Sequence, residues 1–424
     1  MTSGASIADL LVLEPAERGH GHEWLMHLAA SARRRRLGAR LVFAVHPGLA
    51  ERLRRELPQY PDHQPIVLPI TPREVELCNH RRLAVSGLAR WWVMRRLLKV
   101  SGIRRGLFLE LDHLTLPLAL GLPVGSGRSV SGILFRPSVH YDREPGLRLA
   151  ERLRDWRKDL LYRLMLRRGA VHRVHTLDDA FPAFAQGRYR SGDKVVELPD
   201  PVFPLVDATD ADRELASRAP ADRVVLVLFG VLTARKGILA LLQALAQVDS
   251  PASERLAVFV AGRVDPAIRE TVHAACAALA TARPSLWFHL EDRHLGSGEI
   301  AGLVDRSDAV LAPYQRFVGS SGVLMWAAGR GRPVIAQDYG LVGRLVREHG
   351  LGTTVDTTDA AALAGAISAV ATHGAAGIAK PERLSGFAVR RTPEAFAAGI
   401  LDPLERRSEA PRTLENRHPE PVTE

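Results

Sequence analysis

The chain has 424 residues, 46% hydrophobic and 25% charged, which is enough for large buried cores and, at this length, two domains. No apolar run reaches the roughly 18 residues needed to cross a bilayer, and the opening MTSGASIADLLVLEPAERG lacks the basic and apolar regions of a signal peptide, so the expectation is a cytoplasmic protein. Cys78 and Cys276 form no CxxC pair, and the 16 histidines show no metal-ligand spacing, which argues against a disulfide framework or a metal site.

The net charge of +10 is one-sided: residues 1–200 hold 33 Lys+Arg against 21 Asp+Glu, and the remainder 24 against 26. In chain order, LLVLE, RLVFAVH, PIVLPI, LFLEL, SGILF, HRVHT and KVVEL are short apolar or β-branched runs separated by segments of helical periodicity. The same alternation returns in RVVLVLFG, LAVFVAG, LWFHL, AVLAPY and RPVIAQD. It predicts two parallel sheets covered on both faces by helices, a doubly wound α/β fold with a ligand cleft at the C-terminal ends of the strands. The break between halves is expected in LPDPVFPLVDATDADRELASRAPA, residues 198–221, where prolines and charges interrupt the pattern. This gives domains at 1–205 and 206–385, a C-terminal helix at 386–406 and a disordered polar tail at 407–424.

Two helical stretches in the basic half, residues 89–105 (ARWWVMRRLLKVSGIRR) and 148–168 (RLAERLRDWRKDLLYRLMLRR), mix Arg and Lys with Trp, Tyr, Leu and Met. That composition suits helices lying on an anionic membrane surface; core-packing helices with an arginine-solvated outer face would read the same way. No nucleic-acid recognition motif accompanies the charge, so no nucleic-acid partner is expected.

Strand-to-helix loops should carry the chemistry. In EPAERGHGHE, Gly19, His20 and Gly21 allow close backbone approach to a ligand before a helix, or form a plain surface loop. In GVLTARKG, Arg235 and Lys236 stand at a helix N-terminus, where a cation is unfavourable unless an anion joins it. In PYQRFVGSSGVLMWAAGRGRPVIAQDYG, residues 313–340, Gly319, Ser320, Ser321 and Gly322 offer N–H groups and hydroxyls at the positive end of a helix. An ordinary N-cap uses the same residues, and the segment alone leaves both readings open.

Four blocks taken in order, FGVLTARKGILALLQAL, LAVFVAG, EIAGLVDRSDAVLAPY and GSSGVLMWAAGRGRPVIAQDYGLVGRLV, resemble the donor-binding domain of GT-B glycosyltransferases and look like family 4 enzymes. In the first half KVVELPDPV is similar to the passage that ends the N-terminal domain in that family. The resemblance implies a nucleotide-sugar donor and a glycan, lipid-linked or small-molecule acceptor. It implies retaining transfer without metal or cofactor. It makes Lys236 the ligand of the donor diphosphate, with Gly230 and residues Gly319 to Gly322 as its backbone cradle, and it puts Gly19, His20, Gly21 and Arg136 on the acceptor side. Arg235 and His140 are the further catalytic candidates. The chain departs from the family where Val318 and Trp326 replace two glutamates with seven residues between them, where Val231 replaces an arginine, and where Arg136 replaces a histidine. Those departures keep open an inactive scaffold that binds a glycan or protein. A dinucleotide enzyme is disfavoured because no GxGxxG follows the first strand of either half.

Overall fold

The computed structural model describes residues 9–17, 19–57, 64–141, 149–202 and 206–408. Among these residues thirteen strands fall into two sheets. The first comprises β1 (Leu10–Glu14), β2 (Leu41–Val45), β3 (Ile66–Pro69), β4 (Arg105–Phe108), β5 (Ser129–Leu134), β6 (Val171–Thr176) and β7 (Val195–Glu197), ordered β3-β2-β1-β4-β5-β6-β7. The second comprises β8 (Val224–Phe229), β9 (Leu256–Ala261), β10 (Trp287–Glu291), β11 (Ala309–Ala312), β12 (Val334–Gln337) and β13 (Gly352–Val355), ordered β10-β9-β8-β11-β12-β13. The second sheet is parallel throughout, with Val224 opposite Leu256 and Val310 opposite Val334, and in the first β3-β2-β1-β4 and β6-β7 pair parallel. Each order reverses direction once, between β1 and β4 and between β8 and β11, the doubly wound pattern expected from the alternation of runs.

Continuous apolar strands follow from burial on both faces. Along β8, Val225, Val227 and Phe229 enter one core with Phe259 and Ala261, while Leu226 and Leu228 enter the other with Val258 and Val260. The period of two sends successive side chains to opposite sides, and neither side is polar because helices cover both. Each of the twelve expected runs overlaps a strand, least in LFLEL, where β4 starts two residues earlier and ends at Phe108. The thirteenth, β13, was not expected: its GTTV is half-buried along its length and sits at the sheet edge, so it carries no apolar run.

By contacts the chain forms two compact units. One holds Met1–Leu109, Gly121–Ser131 and Ala397–Glu424, the other Glu110–Leu120 and Gly132–Phe396. In the first, Leu11, Leu13, Trp24, Leu25, Leu28 and Phe43 are wholly buried, and the buried Asp9 carboxylate accepts three hydrogen bonds from Arg40, one from its backbone N–H. The stretch expected as one C-terminal helix contains the end of the helix Pro381–Val389 and most of the helix Pro393–Ser408. Of the expected tail, residues 409–424 lie outside the described residues, as do residues 1–8 of the opening segment. Among the described residues no helix is long and apolar enough to cross a membrane.

Candidate functional site

The second sheet's reversal places two loops side by side at strand C-termini. After β8 the chain turns at Gly230 (φ +99°), makes a short 3₁₀ turn Ala234–Lys236, and enters the helix Ile238–Leu245 through Gly237 (φ +77°). A Cβ on Gly237 would lie 1.8 Å from the carbonyl oxygen of Pro313 in the loop after β11. Only glycine permits both the left-handed backbone and that approach. Gly230 is likewise close to Lys236: a Cβ there would stand 3.3 Å from Nζ.

Lys236 is 8% exposed. Its Nζ donates to the Phe229 carbonyl at 3.0 Å and to Tyr314 Oη at 3.4 Å, and lies 5.2 Å from the Tyr314 ring centre. The Tyr314 hydroxyl in turn lies 2.7 Å from Ser321 Oγ, which accepts from the Leu324 N–H at 3.4 Å and so caps the helix Gly322–Gly329. One chain of hydrogen bonds therefore ties the buried ammonium to the glycine-serine loop. The loop is held from below by Gln337 of β12, whose amide oxygen accepts from the Phe317 N–H at 3.1 Å and whose amide nitrogen donates to the Phe317 and Tyr339 carbonyls.

Arg235 stacks its guanidinium 4.3 Å from the Phe317 ring centre and 5.7 Å from that of Tyr314. Although the residue is exposed overall, desolvation against these rings lowers its pKa, Tyr314 opposes this, and the charge of Arg136 lowers it further. Arg136 reaches this place from the loop after β5. A Cβ on Gly319 would stand 3.3 Å from its Cγ, so the side chain expected on the acceptor side lies against the glycine-serine loop. Arg136, Arg235 and Lys236 thus gather at one loop, and none is ion-paired with a carboxylate among the described residues. The buried Asp200 is bonded to this loop, where it accepts from the Ser320 hydroxyl.

His140 connects to this region through Tyr141, whose ring lies 6.2 Å from that of Tyr339. Its side chain is 7% exposed, packed against the rings of Tyr141, Phe181 and Phe184, with Nε2 3.1 Å from Asp178 Oδ2. The angle at this contact is poor for a hydrogen bond, and Nδ1 finds no hydrogen-bond partner among the described residues. Tyr141 also donates to Asp178, and Arg344 bridges Asp178 and Asp179. Burial raises the Asp178 carboxyl, yet His140, Tyr141 and Arg344 outweigh it and hold the group below the ordinary carboxylate range. In this geometry His140 is packed among aromatic rings rather than facing solvent, and Asp178 is held by Tyr141, the Ala180 N–H and Arg344.

Gly19, His20 and Gly21 belong to the other compact unit, after β1. Gly19 has φ +111°, His20 precedes the helix Gly21–Arg34 and stacks on Trp24, and a Cβ on Gly21 would meet the buried Glu14 side chain at 2.7 Å. Where the resemblance leads one to look for carboxylates, Val318 is half-buried and Trp326 packs edge-on to Phe229 beneath Arg330. Sequence reasoning passed over Tyr314, Gln337 and Asp200. A buried tyrosine directly after the strand at the reversal is a usable signal for the first; the other two depend on contacts across many residues.

The two sheets with their reversals define a GT-B fold, a two-domain α/β architecture. Residues 223–373 match the family described as "Glycosyl transferases group 1". Among solved structures, Alr3699/HepE of Anabaena in complex with UDP superposes with a TM-score of 0.64 at 17% identity, over 94% of this chain and 100% of that one. Sucrose-phosphate synthase of Thermosynechococcus elongatus gives 0.67 at 17%, over 94% and 99%. WaaG, a glycosyltransferase involved in lipopolysaccharide biosynthesis, gives 0.62 at 16%, over 93% and 99%. No curated protein matches the sequence.

Proposed function

We propose that the protein is a glycosyltransferase that moves a sugar from a nucleotide-sugar donor to a glycan, lipid-linked or small-molecule acceptor in envelope polysaccharide or secondary metabolism. The observation that carries this reading is the gathering of Arg136, Arg235 and Lys236, none ion-paired among the described residues, at a loop that opens a helix. A nucleoside diphosphate supplies the missing negative charge. As the glycosidic bond breaks, charge develops on the departing diphosphate, and fixed cations with aimed N–H groups stabilise that state more than the ground state. The leaving phosphate takes the acceptor's proton, the outcome is retention, and the three cations serve where other transferases use a metal. Residues 206–385 form the donor domain and residues 1–205 the acceptor domain. The match over residues 223–373 and a solved neighbour holding UDP support the donor class. The basic helices of the first half bring the enzyme to the cytoplasmic face of an anionic membrane, and nucleic acid is not a partner.

Thermal shift and calorimetry across UDP, GDP, ADP, CDP and dTDP test the donor, followed by turnover of the matching sugar nucleotides. One diphosphate should bind far better than its nucleoside, and Lys236→Ala should abolish turnover. No binding by any diphosphate would sink the reading. Val318 and Trp326 favour a second reading, a glycan- or protein-binding scaffold without activity. Diphosphate binding without turnover of any donor would select it.

A further inference from the structure

The exposed apolar residues are unevenly placed. Among the described residues half of the exposed large hydrophobics fall between Ile66 and Val100: Ile66, Leu68, Leu77, Leu83, Leu88, Trp92 and Val100. Within that stretch the helices Pro72–Cys78 and Leu83–Ser101 enclose a groove of about 620 Å³, lined by Leu77, Ala89, Trp92 and Val93 with Arg73 and Arg96 beside them.

The helix Leu83–Ser101 turns Ser86, Gly87, Arg90, Val93, Met94 and Leu98 inward. Its outer strip carries Leu88 and Trp92, then Arg95 and Lys99, at helical spacing. An outer face solvated by arginines alone would leave the indole inside; here Trp92 is 49% exposed while Arg90 is buried and donates to the Cys78 carbonyl at 3.0 Å. The groove's one acid is already satisfied. Glu74 accepts from Arg96 at 2.6 and 3.1 Å and from the Thr71 backbone N–H at 2.9 Å, which offsets its burial and holds its pKa low. An apolar occupant would therefore strand no polar group on entering, while the exposed Arg73, Arg81, Arg82, Arg95 and Lys99 of this segment outnumber its exposed acid, Glu76, and ask for a negatively charged neighbour. A second copy of the chain would bring the same cations against these.

We propose that this groove takes the acyl chain of an anionic lipid, with Trp92 at the level of the headgroups and the surrounding arginines on the phosphates. It rests on the membrane contact proposed above and names the residues that make it.

Flotation of the full chain with phosphatidylcholine vesicles, with and without phosphatidylglycerol, tests this, with UDP-panel binding and circular dichroism run alongside. The chain should float only with the anionic vesicles. Trp92→Glu should lower partitioning by about tenfold, through lost apolar burial and added repulsion, with Trp92→Phe close to the parent. The diphosphate response and circular dichroism should not change. If the parent fails to float with anionic vesicles, the membrane reading and the groove fall together. If the parent floats and Trp92→Glu floats equally, or Trp156→Glu on the helix Leu149–Leu166 removes binding in its place, the groove falls and the membrane reading stands. A dimer broken by Trp92→Glu, with vesicle binding unchanged, would assign the groove to a second copy and overturn the lipid.

Discussion

At the residue scale, Arg136 shows what position adds to identity. The resemblance set Arg136 on the acceptor side; packed against Gly319 with Arg235 and Lys236 nearby, it becomes a third charge at the glycine-serine loop. A charge-assisted contact of this kind is worth about 1.5–3 kcal/mol. Arg136→Ala should therefore weaken binding of the preferred nucleoside diphosphate by roughly tenfold or more and leave binding of the nucleoside unchanged. Calorimetry on the two ligands reads both, and equal losses would mean that Arg136 acts on the fold rather than on phosphate. Lys236 and Arg235 were legible because cations at a helix start are unfavourable alone; the burial of His140 was not, since it depends on Phe181 and Phe184 of another element.

At the scale of elements, the loops after β8 and β11 work only because glycine lets them touch. Gly237 and Gly331 have similar positive φ, +77° and +65°, but different surroundings. A methyl group on Gly331 meets nothing within 4 Å, whereas on Gly237 it meets the Pro313 backbone. Gly331→Ala should cost about 1 kcal/mol from backbone strain, while Gly237→Ala should cost several-fold more or leave no soluble protein. Thermal melts of the two variants make the comparison. Strands were the easiest elements to foresee, because burial on both faces writes itself as an apolar run; β13, half-buried at an edge, carries too few apolar side chains to do so.

At the scale of the whole molecule, histidines held neutral set the response to acid. Burial, with Arg173 and His172 nearby, lowers His175 to about 4, and burial, with Arg34 and His22, lowers His27 to about 4. The unfolded chain binds these protons near pH 6.5. Between roughly 6.5 and 4 the unfolded state thus holds more protons, so the stability is fully present above that window and is lost as pH falls through it. For His175 the whole shift is worth about 3 kcal/mol, and acid adds positive charge to a chain already at +10. The melting midpoint should drop by roughly 5 °C or more from pH 7 to pH 5, and His175→Leu should shrink that drop. An unchanged slope in the variant would show that His175 protonates freely in the fold.

Twelve of the thirteen described strands, the paired α/β sheets, and the positions of the glycine-serine loop and Lys236 just before helices could be read from the amino-acid order. Each rests on local physics: periodicity against a covered sheet, and backbone groups or charges at a helix end. The placement of Arg136, the chain of hydrogen bonds through Tyr314, the burial of His140 and the outward turn of Trp92 came only from the folded chain. Each depends on which distant element packs against a side chain, and no spacing along the sequence encodes that.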